Sequence, residues 1–123
     1  MEFADSIDVL VVDDEPDFPA LVATQLEAEE PRLDVKTAAS VEDGLTTLAA
    51  EPVECVISDY QFPEQDGIAF LREVREIEPE LPFVLLTGKG SEEVASEAIS
   101  AGVTAYFPKR LFPEQFSVLA NRV

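Results

Sequence analysis

Apolar residues in this chain fall into five short runs, and longer segments of helical periodicity lie between them. The first run, at 7–12, is β-branched and almost uniformly apolar, which is typical of a strand buried on both faces. The second run alternates, with Leu33 and Val35 on one side. The four later predicted strands lie at 33–37, 53–58, 83–86 and 103–107.

The intervening segments place apolar residues three and four positions apart, as on one face of a helix. Ser40 and Ser91 are suitable N-caps, Pro19 is tolerated only in a first turn, and Gly102 is a suitable helix end. Five helices are predicted, with apolar positions from Phe18 to Leu26, Val41 to Leu48, Ile68 to Ile77, between Ser91 and Gly102, and from Phe112 to Val123. Strands alternating with helices indicate one α/β domain over 1–123 with a parallel sheet covered on both faces.

Length and composition support a single domain. A chain of 123 residues with 46% hydrophobic residues can bury a core without disulfides, and Cys55, the one cysteine, is predicted to be a buried thiol. No apolar stretch approaches the roughly 20 residues of a membrane span. The acidic start at 1–5 does not resemble a signal peptide, so we expect a cytoplasmic domain.

Charge is the unusual feature of the composition. The chain has 26 acidic and 8 basic residues, which gives a net charge of −18. Such a surface repels nucleic acid and anionic lipid, so neither is expected as a partner. Self-repulsion of this size is tolerated best in concentrated salt, which favours a halophilic source. An acidic protein from an ordinary cytoplasm is the alternative.

Chemistry in an open parallel sheet is expected at the carboxyl ends of the strands. The predicted strands deliver Asp13 and Asp14, Asp59, Thr87 and Lys109 to that edge. Converging carboxylates suppress each other's ionisation unless a cation offsets them. The sequence therefore predicts a site for Mg²⁺, or Mn²⁺, with solvated loop acids as the alternative.

Five segments at these strand ends occur in the order of a known family: 9–16, 56–59 followed by Pro63, 66–67, 85–88 and 105–109. At these residues the sequence resembles the receiver domain of two-component response regulators. The resemblance implies a flavodoxin-like three-layer α/β/α sandwich with five helices and the strand order 2-1-3-4-5. It also implies a phosphorylation-activated switch that is not a turnover enzyme.

The resemblance gives the acidic residues distinct roles. Asp59 would accept a phosphoryl group from a histidine kinase. Asp14, Asp59 and the backbone carbonyl of Gln61 would ligate the metal directly, and Asp13 mostly through water.

The remaining site residues would respond to phosphorylation. Lys109 would pair with a phosphoryl oxygen, Thr87 would hydrogen-bond the phosphoryl group, and Tyr106 would follow inward. This movement would change the face of helix 4, strand 5 and helix 5, which could dock an output domain or protein, or form a homodimer.

Two features depart from or qualify the family pattern. Arg110 follows Lys109 where the family usually has proline, which leaves signal relay past the lysine open. Gln61 and Lys89 occupy positions that tune dephosphorylation in the family, and the lifetime of the phosphorylated state is open.

Three other function classes fit the sequence less well. A phosphatase of the haloacid dehalogenase type needs Asp-x-Asp after the first strand, but Glu15 takes the third place. A flavodoxin-like electron carrier needs a phosphate-binding loop there, and the residues are acidic. A receiver-like interaction module without phosphorylation would lack the acidic pair, the acceptor aspartate or the lysine, and this chain has all of them. Since the apolar stripe runs to Val123 without a helix stop signal, we expect the chain to be the N-terminal receiver of a longer protein.

Overall fold

Alternating strands and helices make up the described chain. The computed structural model describes residues 6–63, 65–88 and 92–108. Its elements are β1 (Ile7–Val12), α1 (Phe18–Glu29), β2 (Leu33–Ala38), α2 (Val41–Ala50), β3 (Cys55–Asp59), α3 (Gly67–Ile77), β4 (Phe83–Thr87), α4 (Glu92–Ser100) and β5 (Ala105–Pro108). Four of the five predicted helices therefore lie in the described residues. The fifth, at 112–123, and the Ser91 cap lie outside them.

The strands form one parallel sheet in the order β2-β1-β3-β4-β5. This order is the flavodoxin-like one, so the expected parallel sheet and its strand order are confirmed. The winding reverses between β1 and β3, because β2 lies on one side of β1 and every later strand on the other. Ligand sites in such sheets occur at this reversal.

Two predicted strands begin two residues before the observed ones. The predicted strand at 53–58 is observed as Cys55–Asp59, and that at 103–107 as Ala105–Pro108. Val53 and Val103 are apolar because they pack from loops against the core, not because they lie in the sheet. The N–H of Val103 donates to the Ala98 carbonyl (3.0 Å) after Gly102, whose φ of 93° is the left-handed conformation that ends a helix.

Each face of the sheet has its own core. Val9 and Val11 pack with Val22 and Leu26 of α1. Leu10 and Val12 point to the other face, where the buried residues of α3 include Phe70. The alternation explains why β1 is apolar throughout: both of its faces are covered. Cys55 is also buried, as predicted, and burial raises its pKa to about 12.

Helix starts follow local capping rules. The Ser40 hydroxyl accepts from the Asp43 N–H (3.0 Å), which confirms it as the N-cap of α2. The Asp66 carboxylate accepts from the Ala69 N–H (2.8 Å) and caps α3. Pro19 lies in the first turn of α1, as predicted.

Arg75 joins three segments at the amino edge of the sheet. Its guanidinium donates twice to the Gly102 carbonyl (3.0 and 2.8 Å), and also to the carbonyls of Leu81 (2.6 Å) and Glu78 (3.3 Å). Burial lowers the pKa of Arg75. The α3–β4 loop and the turn after α4 are thereby fixed to the end of α3.

Candidate functional site

Three carboxylates meet at the carboxyl edge of the sheet. Val12 of β1 lies beside Ser58 of β3, so the residues that follow each strand emerge next to one another. Oxygens of Asp13, Asp14 and Asp59 lie within 4.8 Å of one another. Asp13 and Asp59 are only 2% and 7% exposed, whereas Asp14 is exposed. The predicted convergence is therefore present.

Backbone groups orient the two buried acids. Asp13 Oδ1 accepts from the Glu15 N–H (2.8 Å), an Asx turn that redirects the chain from β1 toward α1. Asp59 Oδ1 accepts from the Tyr60 N–H (2.8 Å). The Ser58 hydroxyl donates to the Asp59 carbonyl (2.9 Å), so backbone and side chain of Asp59 are both held.

The loop between β3 and α3, residues 60–66, closes tightly beside these acids. The Gly67 N–H donates to the Tyr60 carbonyl (2.5 Å), and Gln61 forms an antiparallel bridge with Asp66. Gln61, the predicted carbonyl ligand, thus lies in the loop that leaves Asp59. Sequence reasoning did not anticipate the close approach of Gly67, although an Asp-Gly pair before a helical pattern is a recognisable start signal.

Thr87 and Tyr106 lie on the two strands beyond β3. Thr87 ends β4, is 1% exposed and lies one residue past Leu86, the register partner of Asp59. Tyr106 is half-buried on β5 opposite Leu85, and its buried hydroxyl has no hydrogen-bond partner among the described residues. Lys109 and Arg110 lie outside the described residues, directly after β5.

Tyr60 follows Asp59 and has an acidic environment. Burial raises the pKa of Tyr60, and the charges of Asp66 and Glu97, with Tyr106 nearby, raise it further. The phenol beside Asp59 therefore stays neutral at ordinary pH.

The clustered acids fit a hard divalent cation. All of their donor atoms are carboxylate oxygens, the ligands that Mg²⁺ prefers. Two of the three acids are buried, where uncompensated charge is costly. A cavity of about 150 Å³ adjoins Asp13 and Asp14, between the start of α1 and the loop after β2.

Lys36, by contrast, is engaged elsewhere. Its ammonium contacts Asp8 (3.0 Å), Glu51 (3.8 Å) and Asp34 (3.9 Å). The hydrogen bond to Asp8 raises the pKa of Lys36 more than partial burial lowers it. Lys36 therefore balances charge between β1, β2 and α2.

The described residues form a flavodoxin-like α/β domain, and an acidic cluster lies at the winding reversal of its sheet. The family model described as Response regulator receiver domain matches residues 9–121 of this chain. The chain belongs to this family, and its fold and acidic site fit the phosphorylation-activated switch of two-component signalling.

Curated relatives are similar over most of this chain. A putative response regulator NtrX-like of Rickettsia bellii is 35% identical over 94% of the chain. The transcriptional regulatory protein GlrR of Escherichia coli is 36% identical over 82% of it. The matches cover 24% and 22% of those proteins, so the chain spans about a quarter of their length.

Solved receiver structures share the fold. The chemotaxis protein CheY4 of Vibrio cholerae superposes with a TM-score of 0.87 at 28% identity, covering 96% of this chain and 98% of that one. A response regulator receiver domain protein from Clostridium thermocellum gives a TM-score of 0.83 at 30% identity, covering 94% of this chain and 92% of that one.

None of the helices in the described part of the chain has the length and hydropathy of a membrane span.

Proposed function

We propose that Asp59 is the phosphoacceptor of this receiver domain and that a histidine kinase is the phosphoryl donor. A carboxylate oxygen of Asp59 forms a bond to phosphorus while the bond from phosphorus to the histidine nitrogen breaks, and the electron pair stays on the imidazole. The product is an aspartyl phosphate. The observation that carries the proposal is the buried Asp59 carboxylate, oriented by the Tyr60 N–H, with oxygens of Asp13 and Asp14 within 4.8 Å.

Mg²⁺, or Mn²⁺, is the proposed cofactor. Asp13, Asp14, Asp59 and the carbonyl of Gln61 would hold it. When bound, the ion supplies positive charge that offsets the negative charge of the phosphoryl oxygens. Asp13 contributes a fixed position, because its Asx turn holds the carboxylate at the end of β1.

Thr87, Lys109 and Tyr106 are proposed to relay the phosphorylated state. The Thr87 hydroxyl at the end of β4 would donate to the phosphoryl group, and Lys109 would pair with one of its oxygens. Tyr106 would then move with Thr87. The buried Tyr106 hydroxyl on the neighbouring strand supports this proposal.

The proposed output surface contains α4, β5 and the predicted helix at 112–123. It would dock an output domain or partner protein, or a second copy of the chain. The curated relatives include transcriptional regulatory proteins that extend well beyond the matched region, which supports an output domain. The receiver itself would act once per phosphorylation and would not bind DNA.

The net charge of −18 supports a further proposal about the setting of this switch. We place it in a cytoplasm of high salt concentration, where screening reduces the repulsion between acidic side chains. A thermal midpoint that rises from about 0.1 to 1 M KCl would support this setting.

Phosphoryl incorporation tests the central proposal. The 123-residue chain is incubated with Mg²⁺ and acetyl phosphate, and the modified residue is mapped by mass spectrometry. Wild type is expected to gain one phosphoryl group on Asp59, and Asp59→Asn to gain none, because an amide cannot supply the attacking oxygen. Asp34→Asn is a matched control, since Asp34 is exposed on β2. Equal incorporation by wild type and Asp59→Asn would show that another residue is the acceptor.

A further inference from the structure

A side-chain hydrogen bond ties the β3–α3 loop to the middle of α3. Gln65 Nε2 donates to Glu73 Oε1 at 2.8 Å, and both side chains are half-buried. Glu73 lies six residues into α3. Hydrogen bonds to an ionised carboxylate are stronger than those between neutral groups, so this contact can hold a loop in place.

We propose that Gln65 and Glu73 are positioning residues that set the Mg²⁺ affinity of the site and the rate at which Asp59 is phosphorylated. The proposal rests on the function proposed above. Contacts connect the pair to the metal position in three steps. Glu73 holds Gln65, Gln65 is joined to Asp66, and Asp66 is bridged to Gln61, whose carbonyl is the proposed ligand.

A cavity of about 230 Å³ lies between the loop and α2. Phe62 of the loop and Val41 of α2 border this cavity, and so do Gln65 and Glu73. Side chains that border a cavity lack part of their dispersion contacts, so apolar packing restrains this part of the loop less. The Gln65–Glu73 hydrogen bond lies at the cavity and adds a polar restraint between the loop and α3.

Backbone contacts alone leave this position incompletely fixed. The bond from Gly67 to Tyr60 and the Gln61–Asp66 bridge close the loop on itself. They do not fasten its outer part to a neighbouring element. The Gln65–Glu73 pair does so, and outer contacts of this kind orient the groups that ligate a metal.

Substitution of Glu73 gives the primary test. Mg²⁺ affinity is measured by isothermal titration, and phosphoryl incorporation from acetyl phosphate is followed over time. Glu73→Ala is expected to raise the Mg²⁺ dissociation constant by about 3- to 10-fold. Residues that directly contact a metal ligand usually have an effect of this size or larger. The effect of Glu73 is expected to be smaller because Glu73 acts on Gln61 through Gln65 and Asp66. Incorporation should slow at subsaturating Mg²⁺ and recover when Mg²⁺ is raised.

Two matched variants separate position from charge. Glu76→Ala removes the same charge from an exposed site on the same helix and should change the dissociation constant by less than about twofold, as surface substitutions usually do. Glu73→Gln keeps an acceptor oxygen and should also stay close to wild type. Equal losses in Glu73→Ala and Glu76→Ala would overturn the proposal, because net charge would then account for both.

A double-mutant cycle adds an independent criterion. Gln65→Ala should show the same loss as Glu73→Ala, and the double variant should lose no more than either single one. Additive losses would show that the two residues act separately and would also overturn the proposal.

If the wild-type chain takes up no phosphoryl group, the proposed function itself fails. If wild type is phosphorylated but Glu73→Ala matches Glu76→Ala, only the positioning role fails.

Discussion

Gly67 lies so close to Asp59 that a β-carbon on Gly67 would overlap the Asp59 carbonyl oxygen. The same carbon would come within 2.9 Å of Tyr60 Cα and of Leu85 Cδ1. The first residue of α3 therefore packs directly on the backbone of the proposed acceptor. Only glycine allows this approach without displacing β3 or the loop.

Gly67→Ala is accordingly expected to destabilise the domain by about 1–3 kcal/mol, the usual cost of overpacking. It should also weaken Mg²⁺ binding, because the Asp59 backbone must shift. Urea denaturation and Mg²⁺ titration measure the two effects. Gly88→Ala is the control for stability, since a β-carbon there meets no atom of the described, non-adjacent residues within 4 Å. Equal stabilities of the two variants would contradict the close packing of Gly67.

Asp14 is expected to matter more than Asp13 for metal affinity. Asp13 Oδ1 is already engaged by the Glu15 N–H in a turn that redirects the chain. Asp14 is exposed, so its carboxylate can adjust to a cation. Isothermal titration of Mg²⁺ should therefore give a larger loss of affinity for Asp14→Asn than for Asp13→Asn. The reverse order, with both variants folded by circular dichroism, would exchange the two roles.

Cys55 should make stability depend on pH in the alkaline range. Burial raises the thiol pKa from 9.0 to about 12, so the folded state favours the neutral thiol. The stabilisation from the neutral Cys55 thiol is fully present below pH 9 and is lost as pH rises toward 12. In that range the thiol ionises in the unfolded chain but not in the folded one.

Comparison with Cys55→Ala isolates that contribution, because all other groups titrate in both proteins. From pH 8 to about 10.5, the stability of wild type relative to Cys55→Ala should fall by about 2 kcal/mol, at roughly 1.4 kcal/mol per pH unit above 9. Urea denaturation at both pH values provides the measurement. An unchanged difference would mean that Cys55 ionises as easily in the folded state as in the unfolded one.

Salt should stabilise the domain well beyond the range that screens single ion pairs. The reason is the net charge of −18, which favours expansion until the Debye length becomes short. The thermal midpoint is expected to rise from about 0.1 to 1 M KCl, where the screening length falls from about 10 to 3 Å. Mg²⁺ should add stability by binding the native acidic cluster. A flat midpoint over this range would remove the argument for a halophilic setting.

The sequence was sufficient to predict the sheet and the meeting of the acids. Asp13 directly follows β1 and Asp59 is the last residue of β3, and both strands are buried and parallel. Parallel strands present their carboxyl ends at one edge of the sheet. Pattern alone does not distinguish a strand from an apolar loop, so the predicted strands at 53–58 and 103–107 include Val53 and Val103. Both are apolar because they pack on the core from outside the sheet.

Contacts within the β3–α3 loop could not be predicted, because they depend on the path of the loop. Spacing of eight residues between Gln65 and Glu73 does not show that the two side chains meet. The Asp66-Gly67 pair indicates the start of a helix. It does not predict that Gly67 contacts the backbone of Asp59. Such contacts follow from tertiary packing after the strands and helices are in place.

Two hydrogen bonds from Arg75 to the Gly102 carbonyl hold the C-terminal end of α4. Its C-terminal turn, at Gly102, is anchored to α3 at the amino edge of the sheet, and its N-terminus lies toward the edge with Asp59 and Thr87. A displacement that preserves this anchor is a rotation about Gly102, with its amplitude increasing along the helix. Nine residues make a lever arm of about 13 Å, so a tilt of about 10° moves the N-terminus by about 2 Å. A tilt about the Arg75 contact would therefore displace the N-terminal end of α4 most and its C-terminal end least.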